Sequence, residues 1–165
     1  MAKIRLASPV QYDSIVDGEG LRVVLWLQGC PHRCPGCHNP ETHDYNGGHM
    51  YEIDDIVNEI NSCGYFDGIT FSGGEPLLQV EAVLEIVKKI KGNKWLYTGY
   101  LFEDVIKMCE KNICLGILLK ELDVIIDGRF DLDLKSLDLK FRGSKNQRII
   151  NVKQSLKKNK VIIKK

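Results

Sequence analysis

Short runs of β-branched and other apolar residues alternate along this chain with segments in which apolar residues recur at helical spacing. The clearest unit pairs the run LRVVLWLQ, residues 21–28, with residues 52–63, where Ile53, Ile56 and Ile60 fall on one helical face. A repeated strand-then-helix order predicts an α/β fold with a mostly parallel sheet and outer helices. We expect strands at 21–28, 69–72, 94–98, 123–127 and 147–152, and helices at 52–63, 80–91 and 103–111.

The composition fits one folded domain without a large excess of either charge. A chain of 165 residues, 44% of them hydrophobic, can bury one core but hardly two, so residues 1–165 are expected to form a single domain. The formal net charge of +1 gives no field suited to nucleic acid or anionic lipid, and neither is an expected partner. Residues 153–165 hold six lysines and no acid, which predicts a solvated, frayed C-terminal tail, or else a segment that docks to an acidic partner.

The location of the protein follows from what the sequence lacks. No apolar run approaches the roughly 20 residues that span a bilayer, and the N-terminus has no apolar signal segment, so we expect a cytoplasmic protein. Six cysteines in a cytoplasmic chain indicate metal ligands and buried thiols more than a disulfide framework.

Three of the cysteines form a compact motif directly after the first predicted strand. Cys30, Cys34 and Cys37 have the spacing Cys-x-x-x-Cys-x-x-Cys, in a loop at the carboxyl end of the strand, where parallel sheets bind their ligands. Three thiolates can hold three irons of a cubane cluster and leave the fourth open to a substrate. A closed Cys₃His zinc site is the alternative, because His32, His38, His43 and His49 all lie in or just after the loop. The other thiols, Cys63, Cys109 and Cys114, lack ligand spacing and are expected to be buried small hydrophobes.

A second motif lies at the end of the next predicted strand. There Gly73, Gly74 and Glu75 precede Pro76, and adjacent glycines let a backbone approach a ligand closely. Glu75 and nearby carbonyls could then accept hydrogen bonds from an ammonium group. The alternative is an ordinary turn from strand to helix, with Pro76 in the first helical turn.

Together the two motifs resemble the radical S-adenosylmethionine (radical SAM) superfamily, in which such cysteines hold a [4Fe–4S] cluster and a Gly-Gly-Glu turn holds the methionine end of the cofactor. Further segments resemble the activating enzymes of glycyl-radical proteins, and among these the activators of anaerobic (class III) ribonucleoside-triphosphate reductase. The resemblance extends from about residue 11 to 152. Gly36 stands where many radical SAM enzymes have an aromatic residue, so position 36 can give no aromatic contact to the adenine. The segments that carry the resemblance are DGEGLR at 17–22, QGC at 28–30, CHNP at 37–40, YTGY at 97–100, DGRF at 127–130 and RGSKNQR at 142–148.

The resemblance implies an incomplete (β/α) barrel, open on one side to a protein substrate. It implies reductive cleavage of S-adenosylmethionine at the cluster and formation of a glycyl radical on the anaerobic reductase, with a low-potential electron donor such as flavodoxin. Cys30, Cys34 and Cys37 would be the cluster ligands, and Gly73, Gly74 and Glu75 would hold the cofactor. Ser72, Thr98 and Asp127 would face the same pocket from the carboxyl ends of predicted strands, unless they are turn or capping residues. Residues expected to help bind the reductase or to shape its entry path, or else to be surface structure, are Asp17, Arg22, Arg129, Arg142, Asn146 and Arg148.

Three other functions are compatible with the sequence. The chain could activate another glycyl-radical enzyme such as pyruvate formate-lyase, from which the Pro35-Gly36 loop, the later segments and the short length distinguish it. It could be a small radical SAM enzyme that acts on a metabolite without a protein partner. It could also be a zinc-stabilised binding module that is inert toward S-adenosylmethionine.

Overall fold

One mixed β-sheet organises the molecule. The computed structural model describes residues 2–165, which form an eight-stranded sheet and five α-helices. The strands are β1 (Lys3–Leu6), β2 (Gln11–Ser14), β3 (Arg22–Leu27), β4 (His49–Glu52), β5 (Gly68–Gly73), β6 (Asn93–Tyr97), β7 (Val124–Asp127) and β8 (Arg148–Asn151). The helices are α1 (Ile53–Asn61), α2 (Val80–Lys89), α3 (Phe102–Met108), α4 (Ile113–Glu121) and α5 (Val152–Lys158).

The strand order is β4-β1-β3-β5-β6-β7-β8, and β2 pairs with the first half of β3. Strands β3, β5, β6 and β7 are parallel neighbours, which confirms the expected βα order at the centre of the sheet. Strands β1, β2, β4 and β8 are antiparallel to their neighbours. The sheet is therefore parallel only at its centre and antiparallel towards both edges, so the expectation of a mostly parallel sheet is wrong there. The sheet ends at β4 and β8 and is not closed.

The two-residue period of the strands divides the core between two faces of the sheet. On one face Leu25, Phe71 and Leu96 pack with the apolar sides of the helices in a single cluster. On the other face Trp95, Val124 and Ile126 form a smaller cluster. The helices thus cover one face, and the opposite face is left for a cavity at the ends of the parallel strands.

Arg22 lies at the amino-terminal ends of the parallel strands, fully buried. Its guanidinium donates to Thr70 Oγ1 at 2.6 Å and to Asn93 Oδ1 at 2.6 Å, and it lies 5.2 Å from the centre of the Trp95 ring. Burial lowers the pKa of Arg22 to about 10, although nearby anionic groups oppose the shift. Arg22 is therefore an interior residue, and the expectation that it lies at a binding surface for the reductase is wrong.

The C-terminal segment is folded, which corrects the expectation of a frayed tail. Asn151 caps α5 by accepting a hydrogen bond from the Gln154 backbone N–H at 3.0 Å. After the helix, the chain returns beside β8, where the Asn151 N–H donates to the Ile162 carbonyl at 2.8 Å. The lysines lie on the outer side, and the buried Val152 and Ser155 fix the segment to the core.

Within residues 2–165, no helix has both the length and the apolar character needed to cross a membrane.

Candidate functional site

A cavity of about 440 Å³ opens at the carboxyl ends of the parallel strands, on the face opposite the helices. Its wall brings together seven of the nine residues predicted as ligands or cofactor contacts: Cys30, Cys34, Cys37, Ser72, Gly73, Gly74 and Thr98. The other two, Glu75 and Asp127, are fully buried and lie outside the cavity wall.

The loop of residues 30–37, here called the cysteine loop, presents its three thiols to this cavity. Its first residue is held by a hydrogen bond from the Cys30 N–H to the His43 carbonyl at 3.2 Å. Burial raises the pKa of the Cys30 thiol, while the backbone N–H groups of His32 and Arg33 favour its thiolate. Burial also raises the pKa of Cys34, against a hydrogen bond from the Phe130 backbone. The loop thus supplies sulfurs in a partly dry setting with donors already directed at them.

Gly36 is required by the geometry of the cysteine loop. Its φ is +72°, in the left-handed region, and a Cβ at this position would lie 2.8 Å from Leu132 Cδ1. An aromatic residue at 36 would therefore have a strained backbone, and its Cβ would displace the Leu132 side chain in the segment after β7. That segment places Phe130 at the cavity, with its ring centre 5.1 Å from that of His38.

The turn after β5 packs directly on the backbone of residues 27–29, which leads from β3 into the cysteine loop. The Gly74 N–H donates to the Leu27 carbonyl at 2.8 Å, and the Glu75 N–H donates to the Gly29 carbonyl at 2.8 Å. A Cβ on Gly74 would overlap the Gly29 carbonyl oxygen. Gly74 is thus needed for contact with protein backbone as well as for any approach of a ligand.

The Glu75 carboxylate occupies a junction between three segments. It accepts hydrogen bonds from the Leu77 N–H at 3.0 Å, from Thr98 Oγ1 at 2.9 and 3.0 Å, and from the Gly99 N–H at 2.8 Å. His32 Nε2 lies 2.7 Å from the same carboxylate. These partners use the positions that an incoming ammonium group would need, so Glu75 orders the wall of the cavity from behind.

Asp127 is also a structural junction. Its carboxylate accepts hydrogen bonds from the Phe102 N–H at 2.8 Å and from Arg148 Nε at 3.0 Å. It ends β7 on the face that carries Ile125, which packs with the helices. Asp127 joins the start of α3 to β8, so it does not face the pocket as expected from its place at a strand end. Its partner Arg148 likewise belongs to the framework.

The four histidines do not assemble a single-ion site with the thiols. Among residues 2–165, no three side chains of His, Cys, Asp or Glu converge on one metal ion. His32, His38 and His43 line the cavity, and His49 is exposed on β4.

The remaining thiols are dispersed and free. Cys63 is exposed after α1, which corrects the expectation that it is buried, and Cys109 and Cys114 are half-buried. The chain ends α1 at Asn61, so Cys63 falls in the turn beyond the helix instead of on its apolar face.

Sequence reasoning did not identify the aromatic wall of the cavity. Trp26 and Tyr97 reach it because both lie on the strand face that carries Trp95, and Phe130 and Phe141 reach it from loops. The alternation of strand positions could have indicated the first two. Of the residues expected at a protein interface, Asp17, Arg129 and Arg142 line the cavity.

Fold and site together define an α/β protein with a three-thiol cavity at the carboxyl ends of parallel strands. The family model described as "4Fe-4S single cluster domain" matches residues 16–150. The chain is 37% identical over 154 residues to the anaerobic ribonucleoside-triphosphate reductase-activating protein of Enterobacteria phage T4, covering 85% of this chain and 93% of the relative. It is 36% identical over 144 residues to the protein of the same name from Escherichia coli K12, covering 81% and 90%. The corresponding values for the Haemophilus influenzae protein are 32% over 144 residues, 81% and 89%.

The chain therefore belongs to the 4Fe–4S single cluster domain family and to the anaerobic ribonucleoside-triphosphate reductase-activating proteins.

Proposed function

We propose that this protein binds a [4Fe–4S] cluster through Cys30, Cys34 and Cys37, cleaves S-adenosylmethionine reductively, and forms a glycyl radical on an anaerobic ribonucleoside-triphosphate reductase. The observation that carries the proposal is the meeting of the three thiols with the turn of residues 72–74 in one solvent-accessible cavity. Membership of the activating-protein family supports the identity of the protein substrate.

The residues present fit an iron–sulfur cluster. The three thiols are free and face one cavity, and backbone N–H groups directed at Cys30 and Cys34 would stabilise bound thiolates. Three thiolates leave one iron of a cubane without a protein ligand. A cavity of about 440 Å³ also lies in the range of sites for small molecules of cofactor size.

When bound and reduced, the cluster would supply one electron to S-adenosylmethionine, whose C5′–S bond would break to release methionine. The 5′-deoxyadenosyl radical left by this cleavage would take a Cα hydrogen atom from the substrate glycine and become 5′-deoxyadenosine. The residues of the protein would position the cofactor in the cavity. Ser72, Gly73 and Gly74 would hold the methionine end with backbone groups and one hydroxyl, and Thr98 would extend this wall. Glu75 and Asp127 would act from behind by holding the strand ends in register. Aromatic rings such as Tyr97 and Phe141 would exclude water from the reacting atoms.

The electron must come from another molecule. The cavity holds three of the six cysteines, enough for one cluster, and the other three are dispersed over the described part of the chain. We therefore propose an external low-potential donor such as flavodoxin. The free thiols fit a reducing compartment such as the cytoplasm.

The test is an anaerobic mixture of the reconstituted protein, S-adenosylmethionine, a strong reductant and an anaerobic ribonucleotide reductase, examined by electron paramagnetic resonance. We expect a doublet that collapses to a singlet when the target glycine is deuterated at Cα. A parallel mixture with pyruvate formate-lyase should give no signal, because only a Cα held within a few ångströms of the radical can react.

Other outcomes identify the alternatives. A doublet on pyruvate formate-lyase alone would assign the chain to a different glycyl-radical partner. Cleavage of S-adenosylmethionine without either protein radical would indicate a metabolite as substrate. A colourless protein that binds zinc and leaves S-adenosylmethionine intact would refute the proposed chemistry.

A further inference from the structure

His32 is buried within the cysteine loop although it is not one of the thiol ligands. Its side chain is 4% exposed, and that of its partner Glu75 is 0% exposed. The imidazole packs edge-on against Tyr100, with ring centres 4.6 Å apart. The Gly99 backbone lies so close that a side chain at position 99 would overlap the imidazole. His32 thus enters a slot between the turn after β5 and the loop after β6.

The direction of the His32–Glu75 hydrogen bond follows from its surroundings. Glu75 Oε1, 2.7 Å from His32 Nε2, also accepts from Thr98 Oγ1 and from the Gly99 N–H. An oxygen with two such donors acts as an acceptor, so Nε2 carries the proton and donates. Nε2 is then occupied and is not available to a metal.

This hydrogen bond is the main side-chain tie between the cysteine loop and the rest of the protein. Between Cys30 and Cys37, His32 is the only residue other than cysteine whose side chain hydrogen-bonds to another segment of residues 2–165. The tie is made to a carboxylate that also accepts hydrogen bonds from the Leu77 N–H after β5 and from the Gly99 N–H after β6. The position of the first two thiols is therefore linked to the wall that lines the cavity.

We infer that His32 is a positioning residue, which holds the cysteine loop in its ligand-binding shape by donating to Glu75 before any cluster is bound. The inference rests on the proposed function of the cavity as a cluster site. A group that orients metal ligands in this way typically changes metal affinity by about 10- to 100-fold when it is removed. The same bond couples the cysteine loop to the turn that would hold the cofactor.

The test compares His32→Leu, which removes the donor, with His32→Gln, whose amide nitrogen can take the place of Nε2. His49→Leu is the matched control, because His49 is exposed on β4. After anaerobic reconstitution, we expect the His32→Leu protein to lose iron to a ferrous chelator at least about tenfold faster than the unmodified protein. His32→Gln should come within about twofold of the unmodified rate, a rescue that tests the hydrogen bond itself, and His49→Leu should not change it.

A second measurement does not depend on the cluster. Amide hydrogen exchange in the protein without iron should be faster over residues 29–43 in His32→Leu, with the exchange of α2 unchanged and the loop restored in His32→Gln. Equal chelation rates and equal loop exchange in all variants would overturn the inference, as would a His32→Gln protein as defective as His32→Leu. If the unmodified protein takes up no iron, the proposed function fails, and the exchange measurement still decides the role of His32.

Discussion

Cys30, Cys34 and Cys37 each supply one sulfur to the cavity, and no fourth thiol among the described residues lines it. We expect the Cys34→Ala protein to hold fewer than four irons and to lose all cleavage of S-adenosylmethionine. The iron that Cys34 would bind has no replacement ligand. Iron analysis and the absorption spectrum after anaerobic reconstitution measure this. Cys63→Ala is the control, since its exposed thiol lies after α1 and should be dispensable. A Cys34→Ala protein with four irons and normal turnover would remove Cys34 from the ligand set.

Ser72 offers a way to separate cofactor binding from cluster binding. Its side chain lines the cavity, whereas a side chain on Gly74 would overlap the Gly29 carbonyl and disturb the cysteine loop as well. We expect Ser72→Val to weaken binding of S-adenosylmethionine about tenfold or more, since the branched side chain fills cavity space and removes a hydroxyl. The iron content should stay unchanged. Equilibrium binding to the reconstituted protein tests this, and an unchanged affinity would place the cofactor away from β5.

At the scale of elements, Asp127 connects β7, β8 and α3. Its removal leaves the buried Phe102 N–H without an acceptor and Arg148 without its buried partner, although Arg148 keeps contact with Glu103 and solvent. We expect Asp127→Ala to lower the free energy of unfolding by about 2–3 kcal/mol, a range discounted for the exposure of Arg148. Urea denaturation measures the change.

Asp138→Ala is the matched control, because Asp138 is exposed and should alter stability by less than about 0.5 kcal/mol. Once refolded and reconstituted, the Asp127→Ala protein should bind S-adenosylmethionine within about twofold of the unmodified protein, since this side chain lies outside the cavity wall. A large loss of affinity at unchanged stability would instead show that Asp127 contacts the cofactor.

At the scale of the whole molecule, the C-terminal segment completes the sheet edge at β8. Residues 159–165 supply the Ile162 carbonyl to the Asn151 N–H, the Ile162 N–H to Ser155 Oγ, and the Lys164 N–H to the Ile149 carbonyl, each at 2.8 Å. We expect deletion of 159–165 to lower the free energy of unfolding by about 2–4 kcal/mol. Three hydrogen bonds at about 1 kcal/mol each and about 1 kcal/mol for the apolar contacts set the upper end, and the conformational entropy regained by the shortened chain lowers it.

Urea denaturation of the shortened chain tests this prediction. The control is the double substitution Lys157→Ser and Lys160→Ser, which removes two charges from exposed positions and should leave stability within about 0.5 kcal/mol. A deletion with no effect on stability would mean that the segment is the frayed tail that its lysine content suggests.

The parts of the structure that the sequence predicts well are those with a local physical cause. Helical spacing in residues 52–63 and 80–91 depends only on which residues must be buried, and both helices form with ends within about two residues. The cysteine spacing and the Gly73-Gly74 turn depend on short-range chemistry, and both reach the same cavity. The carboxyl ends of parallel strands meet at one edge of a sheet, which is why two motifs about forty residues apart could be expected to meet.

Antiparallel edges of the sheet could not be predicted in the same way. Strands β1, β2 and β4 have four residues each, too few for a periodic pattern, and they exist because β3 and β1 offer backbone partners. α4 has apolar residues on most of its surface and so lacks the one-sided spacing that identifies a helix.

The sequence by itself determined which three cysteines share a loop, where the Gly73-Gly74 turn lies and the order of strands and helices. Each of these depends on neighbours along the chain. Only the tertiary structure decided which way the polar residues at strand ends face. Asp127 follows Val124, Ile125 and Ile126, all buried, so the apolar run has no contrast to show which face the next side chain joins. Glu75 and His32 are 43 residues apart, and their hydrogen bond exists only where the ends of β3, β5 and β6 lie side by side. A hydrogen bond between distant segments has no local signal, since its partners are chosen by the packing of the strands that carry them.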